Sequence, residues 1–190
     1  AQAYGDSEAR VGKTANSHFQ IVTKIGACID EDIDENNVTN LVQLSRDKLK
    51  QSQLYAVMLH KPEVLLGEHG KKIISKLQDL KSKKIFLKLG ISIYSPYVLN
   101  EVLELTDLDI IQVPFNIFDQ RILSSGWADK LKENGTEIHT RSVFLQGVLL
   151  MQRPDLHPYF IENWPKEFSA WFEYLSKNSN DATAVALGFA

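Results

Sequence analysis

Tyr4, Lys24 and His60 carry a phenol, an ammonium and an imidazole, and each stands at or just past the end of an apolar run. The runs are Ala3-Tyr4-Gly5-Asp6-Ser7-Glu8, Phe19-Gln20-Ile21-Val22-Thr23-Lys24 and Tyr55-Ala56-Val57-Met58-Leu59-His60. Three such groups can protonate an oxygen. Hydride delivered to a carbonyl carbon puts negative charge on the carbonyl oxygen, so a donor must wait where that charge develops. A free phenol has a pKa of about 10, and a nearby cation that favours phenolate makes it a better acid at neutral pH. On this reasoning Tyr4 is the candidate acid, Lys24 the candidate cation, and His60 a second donor to the same oxygen. Taken singly, each residue also fits a packing role: a tyrosine after a turn, a snorkelling strand-end lysine, a histidine satisfied by a backbone carbonyl.

The elements that must position these groups are strands ending on one side of a sheet. Short apolar, β-branched runs alternate with segments of helical period, the pattern of βα units and a parallel sheet. Five strands are expected, from Phe19 to Lys24, Leu54 to His60, Ile85 to Ser92, Ile110 to Phe115 and Glu137 to Phe144. All are too continuously apolar for a half-exposed antiparallel sheet. Helices are read from Val38-Leu41-Val42-Leu49, Ile73-Ile74-Leu77-Leu80, Val98-Leu99-Val102-Leu103 and Ile122-Leu123-Trp127-Leu131, whose apolar residues recur by threes and fours. Another opens before the first strand, with Asp6 or Ser7 as its N-cap. Phe168-Trp171-Phe172-Leu175 and the apolar stretch from Ala182 to Ala190 follow, and Asn16-Ser17 and Asn134-Gly135 read as turns. The aromatic cluster Tyr159, Phe160, Trp164, Phe168, Trp171 and Phe172 reads as packing, with Tyr159 or Trp164 closing over a substrate as the minority reading.

Composition narrows the function classes. The chain has 190 residues, 44% of them apolar, and a formal charge of -3. That balance gives no electrostatic footprint for nucleic acid or an anionic membrane. One cysteine, Cys28, leaves no intramolecular disulfide and suits a reducing compartment. No signal peptide is read, and no apolar stretch approaches the ~20 residues of a membrane span, so the expected location is cytoplasmic. Asp30-Glu31-Asp32-Ile33-Asp34 resembles the start of a calcium loop, but Glu35 and Leu41 stand where that loop needs glycine and glutamate. Lys81-Ser82-Lys83-Lys84 reads as a helix end, where cations suit the macrodipole. His18, His69, His139 and His157 show no metal-ligand spacing with one another or with Cys28, so no metal site is expected.

With these residues in view, the chain resembles the aldo-keto reductases along nearly its whole length. Ala1-Gln2-Ala3-Tyr4-Gly5-Asp6-Ser7-Glu8 matches the family's tyrosine motif, Asp-x-Ala-x-x-Tyr-Gly followed by Ser-Glu, from its alanine onward, Thr23-Lys24 resembles its threonine-lysine strand end, and Leu59-His60 its leucine-histidine strand end. Leu89-Gly90-Ile91-Ser92 is similar to a Gly-Val-Ser signature, and Ile111-Gln112-Val113-Pro114-Phe115-Asn116 to a Gln-x-Pro-Tyr-Asn signature. Arg141-Ser142-Val143-Phe144-Leu145-Gln146-Gly147 is similar to the seventh-strand run Tyr-Ser-Pro-Leu-x-x-Gly.

The resemblance implies an α/β fold, the (β/α)8 TIM barrel, with only about five strands, the third to the seventh, in this chain. It implies one domain over residues 1–190, cut at both ends, since the chain opens in a loop after a strand and ends inside a helix. The implied activity is reduction of an aldehyde or ketone by direct hydride transfer, with a small-molecule carbonyl as partner and oligomeric state open. NADPH is the implied cofactor, with NADH left open, and no Gly-x-Gly-x-x-Gly follows any strand. By resemblance Tyr4, Lys24 and His60 are catalytic, while the family's tetrad aspartate falls two positions before the residue matched by Ala1. Ser92 and Gln112 would hydrogen-bond the nicotinamide carboxamide, and Ser142, Phe144, Gln146 and Gly147 would line the pyrophosphate. Two departures stand out. Ile93 occupies a position where many members carry asparagine, and Arg141 occupies that of an aromatic stacking residue. Arg141 could stack on the nicotinamide or grip a substrate anion bidentately. The rival readings are a non-catalytic nicotinamide-binding regulatory or scaffold protein of the same fold, and an inactive fragment.

Overall fold

A computed structural model describes residues 1–15, 18–26, 34–178 and 181–190. Cys28, the Asn16-Ser17 turn and most of the acidic segment at 30–34 lie outside the described residues. Five parallel strands run in sequence order: β1 (Val22–Ile25), β2 (Leu54–Leu59), β3 (Phe86–Ser92), β4 (Ile110–Pro114) and β5 (Glu137–Arg141). Parallel neighbours need crossovers, and helices supply them. After α1 (Ser7–Thr14) and β1 come α2 (Val38–Leu49), α3 (Gly70–Ser82) and α4 (Leu99–Val102), one before each of the next three strands. The pair α5 (Arg121–Ser124) and α6 (Trp127–Glu133) precedes β5. Beyond it lie a 3-10 segment at Leu145–Leu150, then α7 (Pro158–Asn163), α8 (Pro165–Asn178) and α9 (Ala182–Phe189).

The strand faces divide by alternation. Val57, Leu59, Leu89, Ile91, Ile111 and Val113 pack with helix residues such as Leu41, Ile73, Leu77 and Leu99 in the main core. The opposite face holds a small cluster of Ala56, Met58 and Ile110. At Gly90 the sheet is so close that a Cβ would lie 2.4 Å from the Ile110 carbonyl oxygen.

Element types agree with the sequence reading, and three boundaries move for physical reasons. The strand expected to reach Phe144 stops at Arg141, because Ser142 at φ +60° turns into left-handed backbone that cannot continue a strand. The helix expected across Ile122 and Leu131 is broken in two by Gly126 at φ +73°. β1 begins at Val22 rather than Phe19, which is exposed. Asp6 occupies the N-cap of α1 without a side-chain capping bond. Of the basic run, Lys81 is paired with Asp109 and Lys83 with Asp79, so these charges are locally satisfied. No helix among the described residues is long and apolar enough to cross a membrane.

Candidate active site

Parallel strands end on the same side, so every strand-end residue singled out above meets at one rim. Lys24 lies near the end of β1, His60 one residue past β2, Ser92 at the end of β3, Gln112 within β4 and Arg141 at the end of β5. The register sets Ser92 beside Gln112 and Pro114 beside Arg141. The His60 amide donates to the Ile25 carbonyl at 2.9 Å, which carries the β1–β2 ladder one step further and fixes the imidazole's origin.

Tyr4 reaches this rim from outside the sheet. Its segment is tied down on both sides: the Gln2 amide donates to the Lys24 carbonyl at 3.3 Å, and the Ser7 amide donates to the Tyr4 carbonyl at 3.1 Å. The Gln2 side chain also donates to the Leu41 carbonyl and to Ser45 Oγ, at 2.8 and 3.1 Å. Held so, the Tyr4 ring lies edge-on to the His60 ring, with centroids 6.0 Å apart. Lys24 Nζ lies 5.6 Å from the Tyr4 centroid, within range of a cation–π attraction. The three residues read as an acid, a cation and a donor thus come together from three separate segments.

The electrostatics of this group follow from partial burial. Lys24 Nζ donates to Gln112 Oε1 at 2.8 Å. Burial, and after it the charge of Arg141, lowers the Lys24 pKa from its ordinary value. Burial also lowers that of His60, with the Lys24 and Arg141 charges adding to the effect, so the imidazole is neutral at pH 7. His60 Nδ1 is buried without a hydrogen-bond partner.

Beside these residues opens a cleft of about 490 Å³. Tyr4, Lys24, Gln112 and Arg141 form its strand-side wall, and Ser142, Phe144, Gln146 and Gly147 line it from the loop after β5. His60 and Ser92 stand outside the lining. Ser92 is buried and donates to Gln112 Oε1 at 3.1 Å. Because an ammonium has no acceptor, Gln112 must turn its oxygen to Lys24, which leaves its amide N–H groups for another ligand. The loop is conformationally unusual, with Ser142, Leu145, Gln146 and Gly147 at φ +60°, +47°, +57° and +90°. Left-handed residues among right-handed ones bend backbone amides into anion-binding concavities. A Cβ on Gly147 would meet nothing within 4 Å, so its φ rather than its space calls for glycine. A cleft with this loop on one side and an amide donor on the other suits a dinucleotide carrying phosphates and a carboxamide.

Three participants went unread in the sequence. Tyr94 places its ring 4.4 Å from the Arg141 guanidinium carbon, an exposed tyrosine with no sequence signal beyond its place after a strand. Buried Asn116 donates to the Ser142 carbonyl at 3.0 Å and accepts from the Phe118 and Asp119 amides, both at 2.9 Å, so it pins the start of the loop. An asparagine just past a strand was its available signal. Glu8, quoted only as part of a motif, is 2% exposed and accepts from Thr23 Oγ1. As for Ile93, its side chain is in the core, while its carbonyl accepts from Arg141 Nη2 at 3.0 Å. Trp164 lines a separate cavity of about 520 Å³ with Phe118, Phe160 and Phe168, one that among the described residues shares Gln146 alone with the cleft. No cluster of three or more metal-binding side chains occurs among the described residues.

A family model described as the aldo/keto reductase family matches residues 1–190. Among solved structures, the chain is similar to the holo form of aldo-keto reductase AKR11C1 from Bacillus halodurans, at 22% identity over 77% of this chain and 51% of that one, with a TM-score of 0.64. It is similar also to the glycerol dehydrogenase AKR11B4 from Gluconobacter oxydans, at 18% identity over 95% of this chain and 63% of that one, with a TM-score of 0.68. The chain therefore spans about half to just under two thirds of these solved chains. Among curated proteins the sequence finds no match.

Proposed function

Because the chain belongs to the aldo/keto reductase family, with that family's (β/α)8 fold represented by five parallel strands, we propose that it serves as an oxidoreductase. In this reading it reduces an aldehyde or ketone to an alcohol with NADPH. The observation that carries the reading is the gathering of Tyr4, Lys24 and His60 at one rim, beside a cleft bordered by left-handed backbone.

The nicotinamide, when bound, supplies the hydride to the carbonyl carbon. Tyr4 gives its hydroxyl proton to the carbonyl oxygen, so that carbonyl, hydride and proton become the alcohol. Lys24 places an ammonium 5.6 Å from the ring centroid, a positive charge beside the phenolate that remains once the proton has left. Neutral His60, with its proton on Nε2, donates to the same oxygen and fixes the orientation of the carbonyl. Gln112 is oriented by Lys24 and Ser92 so that its amide N–H groups can hold the carboxamide. The loop from Ser142 to Gly147 would hold the phosphates.

Tyr4→Phe tests the reading. General acid catalysis contributes about 10²- to 10⁴-fold, so NADPH-dependent reduction of a panel of aldehydes should fall at least a hundredfold while NADPH still binds. Unchanged turnover in the variant removes Tyr4 from the mechanism.

A further inference from the structure

Arg141 is held in a way that a cofactor-stacking residue does not require. Its Nη2 donates to the Ile93 carbonyl at 3.0 Å, its Nη1 donates to Ser142 Oγ at 3.2 Å, and its guanidinium carbon stands 4.4 Å from the Tyr94 centroid. Two hydrogen bonds and a stacked ring fix the plane of the group from three directions. A guanidinium carries five N–H donors, so the fork is aimed and still has donors to give. Among the described residues, none of those lining the cleft is an aspartate or glutamate. Asp119 feels the charge of Arg141, but its carboxylate is engaged by Arg121, whose Nε and Nη2 donate to it at 2.8 and 2.7 Å. Lys24 lines the same cleft, where burial and after it the charge of Arg141 lower its pKa. A cleft lined by one sign of charge concentrates ligands of the other.

From this we infer that the carbonyl substrate is an oxo acid, whose carboxylate is gripped by the fixed fork of Arg141 while its carbonyl faces Tyr4. The inference rests on the oxidoreductase reading and names the substrate class of that site. Planar guanidinium and planar carboxylate match in a two-point contact that an ammonium does not reproduce. Stacking on Tyr94 limits the freedom lost when the contact forms. The anion that Arg141 meets has two possible sources, a substrate carboxylate or a cofactor phosphate, and the two give different results.

Binding is measured calorimetrically for pyruvate against pyruvamide, and for 4-oxopentanoate against its amide, so that each pair differs in charge and little else. The same titrations are run with NADPH bound, and NADPH affinity is measured separately. Each acid should bind at least tenfold more tightly than its amide, and the advantage should shrink to threefold or less in Arg141→Leu. Arg141→Lys, which keeps the charge and gives a folded alternative should the leucine variant fail, should recover only part of it. Equal binding of acid and amide, no binding of either, or an acid preference that survives both substitutions overturns the inference. So does a result in which Arg141→Leu weakens NADPH binding and leaves the acid-to-amide ratio intact, because Arg141 then serves the cofactor phosphate. If acids bind through Arg141 but no carbonyl is reduced, the substrate-site chemistry stands and the reductase reading fails. If neutral aldehydes are reduced with no acid preference, the reverse holds.

Discussion

Gly12 offers a test of whether α1 holds Tyr4 in working position. The residue is buried where α1 crosses the end of α2, and a Cβ there would lie 2.3 Å from the Lys48 carbonyl oxygen and 2.8 Å from the Leu49 carbonyl carbon. Ordinary contact begins at 3.4 Å and both obstacles are backbone, so in Gly12→Ala the helix must retreat by about 1.1 Å. Helix propensity alone favours alanine by about 1 kcal/mol, whereas forcing a methyl into a packed contact costs about 1–3 kcal/mol. The steric effect wins, by about 1 kcal/mol net, or about 3 °C in Tm for a chain of this size. Because the Ser7 amide is bonded to the Tyr4 carbonyl, the shift is passed to Tyr4. A displacement of about 1 Å at a reacting group can cost about 10²-fold in rate. Thermal unfolding and steady-state carbonyl reduction, measured together, check both effects. Gly188→Ala is the control: a Cβ there meets nothing within 4 Å, so alanine should stabilise by about 0.5 kcal/mol and leave the rate alone. If Gly12→Ala instead behaves like Gly188→Ala, the claim that α1 sets the position of Tyr4 is refuted.

Two further outcomes follow from buried polar groups. His60 has a lowered pKa in the folded chain, so as pH falls below the ordinary imidazole value of about 6.5 the unfolded state takes up the proton first and stability declines. His60→Gln should flatten the urea-unfolding free energy between pH 7 and pH 5, and an unchanged slope would show that His60 titrates normally. Thr23→Val removes the hydroxyl that donates to Glu8 Oε1, which keeps only the Ala1 ammonium at 3.9 Å while Oε2 already lacks a partner, and should cost about 1–3 kcal/mol. Adding Glu8→Leu removes the orphaned carboxylate and should restore much of that loss; strictly additive losses in urea unfolding would exclude a coupled pair.

Strand positions were legible because their signal is local. A run such as Tyr55 to Leu59 has apolar groups on both faces, which only a sheet covered on both sides accommodates, and all five expected strands are present. The rim residues were legible for a related reason: once strands are parallel, the last residue of each run must share an edge with the others. Tyr4 was harder, since its position depends on Gln2 bonds to α2 and β1, partners far along the chain. What could not be read was whatever depends on backbone hand. Nothing in the residue types of Ser142, Leu145 or Gln146 announces positive φ, and the end of β5 was therefore placed three residues too far. The role of Arg141 was likewise open, because its fixation comes from Ile93 and Tyr94 on a different strand end.

Unmet demands of several kinds gather at the rim, although elsewhere buried Arg46 Nε also lacks a partner and Lys50 and Lys84 also hold left-handed backbone. Away from it, exposed charges close on near neighbours, as in Lys83 with Asp79, Arg121 with Asp119 and Lys177 with Glu173. At the rim a buried imidazole nitrogen has no partner, an ammonium rests on a neutral amide, and non-glycine residues hold left-handed backbone. Each of these opposes folding, the backbone conformations by about 1–3 kcal/mol apiece. A core selected for stability alone would replace them, because an apolar residue at Lys24 or a glycine at Gln146 relieves the same positions. Their concentration beside one cleft has a simpler physical account. A bound ligand that contributes an acceptor to the Nε2 proton of His60, an anion to Arg141 and phosphates to the loop would engage several of these groups together, so ligand binding should stabilise the fold, and by more for a tighter ligand.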